Sequence, residues 1–289
     1  MADSSGQAEI RGIDIDKLAK GFADEENQFK KICMVTATKA REIRWYQKTS
    51  GFLDSADTSG ITASQIANTG ERSLPVVVEQ SWTRQTSYVR KYFVESPTIS
   101  EEDIKDSDID VLGTNVRDLV RAVARQVDAR IYSVLSGSVS NTTAATAAWD
   151  AGSGQDIVAD IMTAKRKIRQ QGYDPEGAFL LLSATDHANM IIWLISTKGS
   201  SIPAFASQKV KDGVVMEILG LKVLVSENVT ADQAMVVVGQ RAMTWKNFMP
   251  ISSVVINDAG IGRKIRVWEE GEAIMTDTYA ASKITNTQA

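Results

Sequence analysis

The chain has 289 residues, 43% of them hydrophobic, which is enough for one or two packed domains with real cores. Charged residues make up 24% and the net charge is -4, so strong binding to a polyanion is not expected, although a local basic patch stays open. A single cysteine, Cys33, and a single histidine, His187, exclude an intrachain disulfide framework, a thiolate metal site, most zinc sites and most proton relays. Met1 to Gln7 carries neither a basic stretch nor an apolar run, so no secretory signal is read there. No segment approaches the ~20 apolar residues of a membrane span.

Residues 1–30 are polar with a weak helical pattern at Ile15, Leu18, Phe22 and Phe29, and read as an arm that is ordered by a neighbour. Lys39 to Lys48 alternates as a strand, with Ile43 and Trp45 on one side. Ser50 to Ser73 is a long Gly/Ser/Thr/Asp loop of a length that usually serves a function or a partner. Leu74 to Val94, rich in Val, Thr, Tyr, Phe and Trp, reads as one extended strand. Two strands joined by a long tip make a protruding hairpin, and an isolated hairpin is marginal in water, so it should rest on something else. Next comes an acidic turn in which Ser100 is placed to accept from the amides of Glu102 or Asp103. It feeds a long helix ending at Ser136-Gly137, with Leu112, Val116, Leu119, Val120, Val123, Val127, Ile131 and Leu135 on one face. Arg117, Arg121 and Arg125 form a second stripe, within reach of Asp118 and Asp128.

Beyond the helix, Ser138 to Gly154 is a small-residue linker and a candidate crossover. Asp156 to Gln171 is an amphipathic helix with Ile157, Ile161 and Ile168 inward and Lys165-Arg166-Lys167 outward, stopped at Gly172. Ala178 to Leu182 reads as a buried strand, and Ser183 caps a helix that runs to Ile195. Met216 to Val225 holds two short strands broken at Gly220, and Ala234 to Val238 a third. Ile251 to Ile284 alternates as antiparallel sheet.

Four stretches carry a resemblance. They are Thr98 to Ser107 with the long helix and Gly137, the run Ile168 to Ser183 with its Gly172-Tyr173-Asp174-Pro175 turn, Ile218 to Val229 leading to Met235 to Gln240, and Arg263 to Tyr279. In order and spacing they resemble the major capsid proteins of tailed double-stranded DNA viruses, the Hong Kong 97 fold shared with encapsulins. The resemblance implies an α+β fold with an N-terminal arm (1–38), an extended hairpin loop (39–96), a peripheral domain with a long spine helix (97–145 and 248–289) and an axial domain (146–247). It implies self-assembly through pentamers and hexamers into an icosahedral shell around double-stranded DNA held by non-specific contacts. The implied setting is a virion capsid assembled in a host cytoplasm. Expected partners are a portal and scaffolding or decoration proteins, with no membrane. Some relatives carry a long scaffolding segment that is cleaved away, for which residues 1–38 leave no room. A separate scaffolding protein or self-directed assembly is therefore expected.

No catalytic residue, cofactor or metal ligand is assigned. A Ser183/His187/Asp186 relay lacks the Gly-x-Ser-x-Gly elbow, and the Ser183-x-x-Asp186 spacing is better explained as a helix cap. Cys33 reads as a small buried hydrophobe. Gly152-Ser153-Gly154 lacks the rest of a phosphate loop, and Lys165 to Arg169 reads first as a solvated helix face. The hairpin residues Trp82, Arg84, Tyr88, Arg90, Tyr92 and Phe93 are expected to contact another subunit, because an outlying hairpin has no private core for its aromatics. Trp82, Tyr88 and Tyr92 share one parity and should line one face. The Arg117/Arg121/Arg125 stripe would meet either acidic residues of a neighbour or packaged DNA. Two alternatives remain: an encapsulin-type compartment holding an enzyme cargo, and a small-oligomer metabolic enzyme, disfavoured by the single histidine and absent cofactor loops.

Overall fold

A computed structural model describes residues 29–50, 71–72, 74, 81–106, 111–198 and 217–289. The arm before Phe29, the hairpin tip and the strand expected from Leu74 to Gln80 (apart from Leu74 itself) lie outside the described residues.

Two sheets flank one long helix. Strand β1 (Met34–Ala37) follows a 3-10 turn at Phe29–Lys31, and β2 (Glu42–Ser50) pairs antiparallel with β3 (Ser81–Tyr88) as the hairpin. Strand β4 (Arg90–Glu95), the short β5 (Ile99–Ser100) and helix α1 (Glu101–Asp106) lead into α2 (Val111–Ser138). Ser100 Oγ accepts from the Asp103 amide at 3.0 Å, the N-terminal cap expected for α1. The first sheet has the order β1-β11-β12-β4, where β11 is Met243–Asp258 and β12 is Gly262–Met275, and β5 also pairs with β12.

The second sheet contains β6 (Asn141–Ala144), β7 (Phe179–Leu182), β8 (Glu217–Ile218), β9 (Leu221–Val225), β10 (Gln233–Val237) and β13 (Ala281–Thr285). Its order is β6-β13-β10-β7-β9-β8. Alternation along the strands divides its side chains between two cores. Leu181, Met235 and Val237 join the apolar face of α2 and the first sheet. Leu180, Leu182, Ala234 and Val236 turn instead to helices α3 (Ile157–Gln170) and α4 (Ala184–Trp193).

Helix α2 buries Leu112, Val116, Val120, Val123, Val127, Ile131 and Leu135 as the spacing requires, with Leu119 partly covered. Helix α3 is capped by Asp156, whose side chain accepts from the Ala159 amide at 3.2 Å, and the chain leaves it through Gly172 at φ 81°. Ser183 caps α4 by accepting from the Asp186 amide at 3.0 Å.

Four expectations are corrected. The linker Ser138 to Gly154 contains an edge strand, because β6 runs parallel to β13 far along the chain. Residues 281–285, which the resemblance groups with the rest of 248–289, leave the sheet of β11 and β12 and lie between β6 and β10. Lys165 does not face outward. It is 6% exposed and donates to Leu219 O at 2.7 Å and Glu176 Oε1 at 3.1 Å, tying α3 to the β8–β9 turn. Asp128 is buried instead of lying on the charged top of the helix, and it accepts from the Phe29 amide at 3.3 Å, which anchors the start of the described chain on α2.

Candidate functional site at the root of the hairpin

Residues 81 to 95 run as two strands separated only by Val89, and they change partners there. Before Val89 they pair with β2, from Glu42↔Tyr88 outward to Ser50↔Ser81. After it they pair with β12, from Gly271↔Arg90 to Arg266↔Glu95. The Val89 amide donates to Arg41 O at 2.8 Å, so odd-numbered residues point their backbone groups toward β2. The Ser96 amide donates to Ile265 O at 2.9 Å, so even-numbered residues point toward β12. The hairpin is thus bonded through one edge of this strand and the main sheet through the other.

The root is held by carboxylates on β12. Glu269, Glu270 and Glu272 are 1%, 5% and 0% exposed. Buried carboxylates must be paired to stay charged at tolerable cost, and five cations converge on these three. Lys30, just before β1, meets Glu269 Oε1 at 2.5 Å and lies over the Trp245 ring at 5.4 Å. Arg130 of α2 donates Nε to Glu272 Oε1 at 3.1 Å and adds a contact through Nη2. From the hairpin side come Arg41 Nη2 to Glu270 Oε2 at 3.0 Å, Arg90 Nε to Glu272 Oε2 at 3.3 Å and Lys91 Nζ to Glu270 Oε1 at 3.8 Å. The Arg41 and Arg90 approaches are ion pairs without hydrogen-bond alignment, and Glu269 Oε2 has no hydrogen-bond partner among the described residues. Ser87 Oγ also donates to Glu272 Oε1 at 3.2 Å, and Trp45 Nε1 and Gln47 Nε2 each donate to Met275 O at 3.1 Å. Gly271, between the carboxylates, is required by packing: a Cβ there would stand 2.4 Å from Trp245 Cζ2.

The described part of the hairpin therefore has two unlike faces. Ile43, Trp45 and Gln47 turn inward, with Ile43 6% exposed. Arg44, Tyr46, Trp82, Arg84 and Tyr88 turn out together, and Tyr46, Trp82 and Tyr88 are 64%, 56% and 64% exposed. The Arg44 guanidinium, hydrogen-bonded to Glu42 at 2.6 Å, holds that carboxyl below its usual range.

Tyr92 is a correction. The partner change at Val89 places it in the main sheet, where its ring lies 6.5 Å from that of Trp245 and packs on the core of its own chain. Burial, with a smaller contribution from Glu272, pushes its phenol up to about 12. Phe93 stays exposed, 6.4 Å from Trp268, with Lys91 Nζ 4.9 Å above its ring. Arg90 is exposed but committed to Glu272. On α2, Arg117 and Arg125 are exposed and Arg121 is half-buried.

The bland readings stand beside these. Ser183 Oγ donates to Asp186 Oδ2 at 2.7 Å, inside the cap, while burial pulls the His187 imidazole down and leaves its Nε2 without a hydrogen bond among the described residues. Burial, then Asp128, pushes the Cys33 thiol up to about 12. Among the described residues no cluster of His, Cys, Asp and Glu is arranged to hold a metal, and no helix is long and apolar enough to cross a membrane.

The sequence reading missed the glutamates, Arg44 and Tyr46. Charges set inside Trp268-Glu269-Glu270-Gly271-Glu272-Ala273, an otherwise apolar strand, were the available signal.

The profile of the phage capsid protein family matches residues 85–281. Among solved structures, the capsid of cyanophage P-SCSP1u is similar at a TM-score of 0.65 and 11% identity, covering 91% of this chain and 89% of that one. The capsid of a native GTA particle gives 0.63 and 14%, covering 100% and 96%. The virus-like particle from Pyrococcus furiosus gives 0.62 and 8%, covering 94% and 98%. At these identities the likeness speaks for the fold, which is the Hong Kong 97 capsid fold. Among curated proteins, none matches the chain significantly.

Proposed function

The chain belongs to the phage capsid protein family, and from that premise we infer how its parts build the shell. It is a major capsid protein, a structural component of the virion capsid and not an enzyme. The hairpin leaves its own subunit and lays its outward face on the next one, so that Trp82, Arg84 and Tyr88, with Arg44 and Tyr46, form the contact between copies. One observation carries this reading: three large aromatics more than half exposed on one face of a two-stranded ladder whose other face is already occupied. Phe93 belongs to the same interface through the adjoining sheet surface. The first sheet with α2 corresponds to the peripheral domain, and the second sheet with α3 and α4 to the axial domain that meets its copies in pentamers and hexamers. Contacts that do not close on themselves build rings or curved lattices. Packaged double-stranded DNA would meet exposed cations of the wall, such as Arg117, through phosphate contacts that carry no sequence information. Portal, scaffolding and decoration proteins complete the expected partners.

Changing Trp82→Ala and Tyr88→Ala together tests the contact. Unassembled subunits should keep their unfolding midpoint while closed particles disappear from electron micrographs; normal shells would defeat the assignment. A compartment with a protein guest is the second reading, favoured by the likeness to the Pyrococcus furiosus particle. Whether purified particles hold DNA or protein separates the two.

A further inference from the structure

The outward face of the hairpin sets the exposed rings of Tyr46, Trp82 and Tyr88 beside Arg44 and Arg84. Glu42, on the same face, is already taken by Arg44 at 2.6 Å. An aromatic face with an excess of cations is matched by a surface that offers a large exposed apolar side chain next to uncommitted carboxylates.

Outside the hairpin, one corner among the described residues meets both conditions. Strand β12 pairs with β5 through Gly262↔Ser100, so Ile261, 66% exposed in the turn between β11 and β12, stands beside the first turn of α1. In that turn Glu101 pairs with Lys105 at 3.6 Å, while Glu102 and Asp103 are exposed and have no ion pair among the described residues. The other exposed apolar side chains are set differently. Met34 and Val35 lie between Lys31 and Lys39, and Met162 shares a pocket with Arg166 and Arg169. Phe93 lies under Lys91, and Val254 is opposite Arg266. Met249 is opposite Glu270, which Arg41 and Lys91 already hold, and Ile192 and Ile195 have no carboxylate within a helical turn.

A hairpin does not reach the corner of its own chain. Its root, where Arg90 pairs with Gly271, is ten residues along β12 from Ile261, roughly 30 Å at the rise of a strand. From there the hairpin runs away from the corner, toward Met275, whose carbonyl takes the Trp45 indole. The two surfaces can meet only between copies, and since they are unlike, each copy can give one contact and receive another.

We propose that the outward face of the hairpin seats on this corner of a second copy, with Trp82 and Tyr88 closing over Ile261 and with Arg84 facing the Glu102 and Asp103 carboxylates. The proposal rests on the reading that the hairpin joins subunits, and it names the place where the hairpin lands.

Charge reversal in the full-length protein tests it. Arg84→Glu, and separately Glu102→Arg with Asp103→Arg, should each cut the yield of closed particles in electron micrographs at least about tenfold. All three changes in one chain should restore the particles, because the charges are then exchanged. If the triple variant stays unassembled, or if the Glu102 and Asp103 variant assembles normally, the seat is overturned. Loss of particles with Trp82→Ala and Tyr88→Ala beside normal particles with Glu102→Arg and Asp103→Arg would leave the hairpin contact standing and place it elsewhere. Normal shells with Trp82→Ala and Tyr88→Ala would remove both. A cysteine pair, Tyr88→Cys with Ile261→Cys, gives an independent reading under mild oxidation, with each single variant as control. Bonds between chains, seen as a ladder on non-reducing gels, are expected; no bond, or a bond within one chain, overturns the proposal.

Discussion

Replacing Glu272 with glutamine removes one negative charge from the root of the hairpin while keeping the volume of the side chain. The carboxylate is 0% exposed and serves Arg130, Arg90 and Ser87 at once. Breaking a fully buried ion pair costs about 3–5 kcal/mol, because the surviving charge is left stranded. Here the survivors are less confined: the Arg130 side chain is 23% exposed and that of Arg90 57%, so both can recover hydration. With packing kept and Ser87 still able to donate, the expected loss is about 2 kcal/mol. Urea unfolding of dissociated subunits, followed through tryptophan fluorescence, reads this as a lower midpoint at unchanged slope. A cycle with Arg130→Met should return a coupling of about 1–2 kcal/mol. A loss under about 0.5 kcal/mol, or strict additivity, would refute the view that these charges are a buried, mutually dependent set.

Gly271→Ala should cost about 1–3 kcal/mol and lower the thermal midpoint, since its Cβ would press on the buried Trp245 ring; an unchanged midpoint counts against the packing account. Asp160→Ala should cost about 3 kcal/mol, because Thr146 and the buried Trp149 indole, which donates at 3.0 Å, lose their acceptor; fluorescence-monitored unfolding checks it. Alkaline stability follows from the raised acids. Cys33, ordinarily at 9.0, and Tyr92 and Tyr173, ordinarily at 10.0, are each pushed up to about 12. The folded chain holds these protons more tightly than the unfolded one, so their contribution is full below pH 9 and is lost as pH rises toward 12. Thermal midpoints should fall across that window, and a flat profile would contradict the burial described. In the native state Cys33 should also resist alkylation at pH 8 and react only on unfolding.

What could be read from the sequence was local. The buried face of α2 follows from its 3.6-residue period, and the caps at Ser100 and Ser183 follow from residue type next to an apolar run. Strands β8 and β9 were legible because Gly220, at φ 74°, breaks an otherwise continuous pattern. The errors all concern partners distant in sequence. Asn141 to Ala144 becomes a strand only because β13 arrives beside it. Lys165 looks solvated in its basic run, yet Leu219 O and Glu176 take it inside. Tyr92 was assigned by parity along one strand, and parity cannot register that the strand changes sheets at Val89. The cations at the glutamates come from four separate segments, which is why the root of the hairpin was invisible.

The change of partners at Val89 also has a mechanical consequence. A filled shell puts its subunits under tension, and a hairpin gripping its neighbour would be pulled along its own length. Because β3 continues into β4 with only Val89 between them, that force would reach β4 end-on through the chain. It then loads all six residue pairs with β12 side by side, in shear, instead of peeling them apart in succession. A ladder loaded this way yields only when many bonds fail together, so the attachment is strongest in the direction in which internal pressure would stretch it.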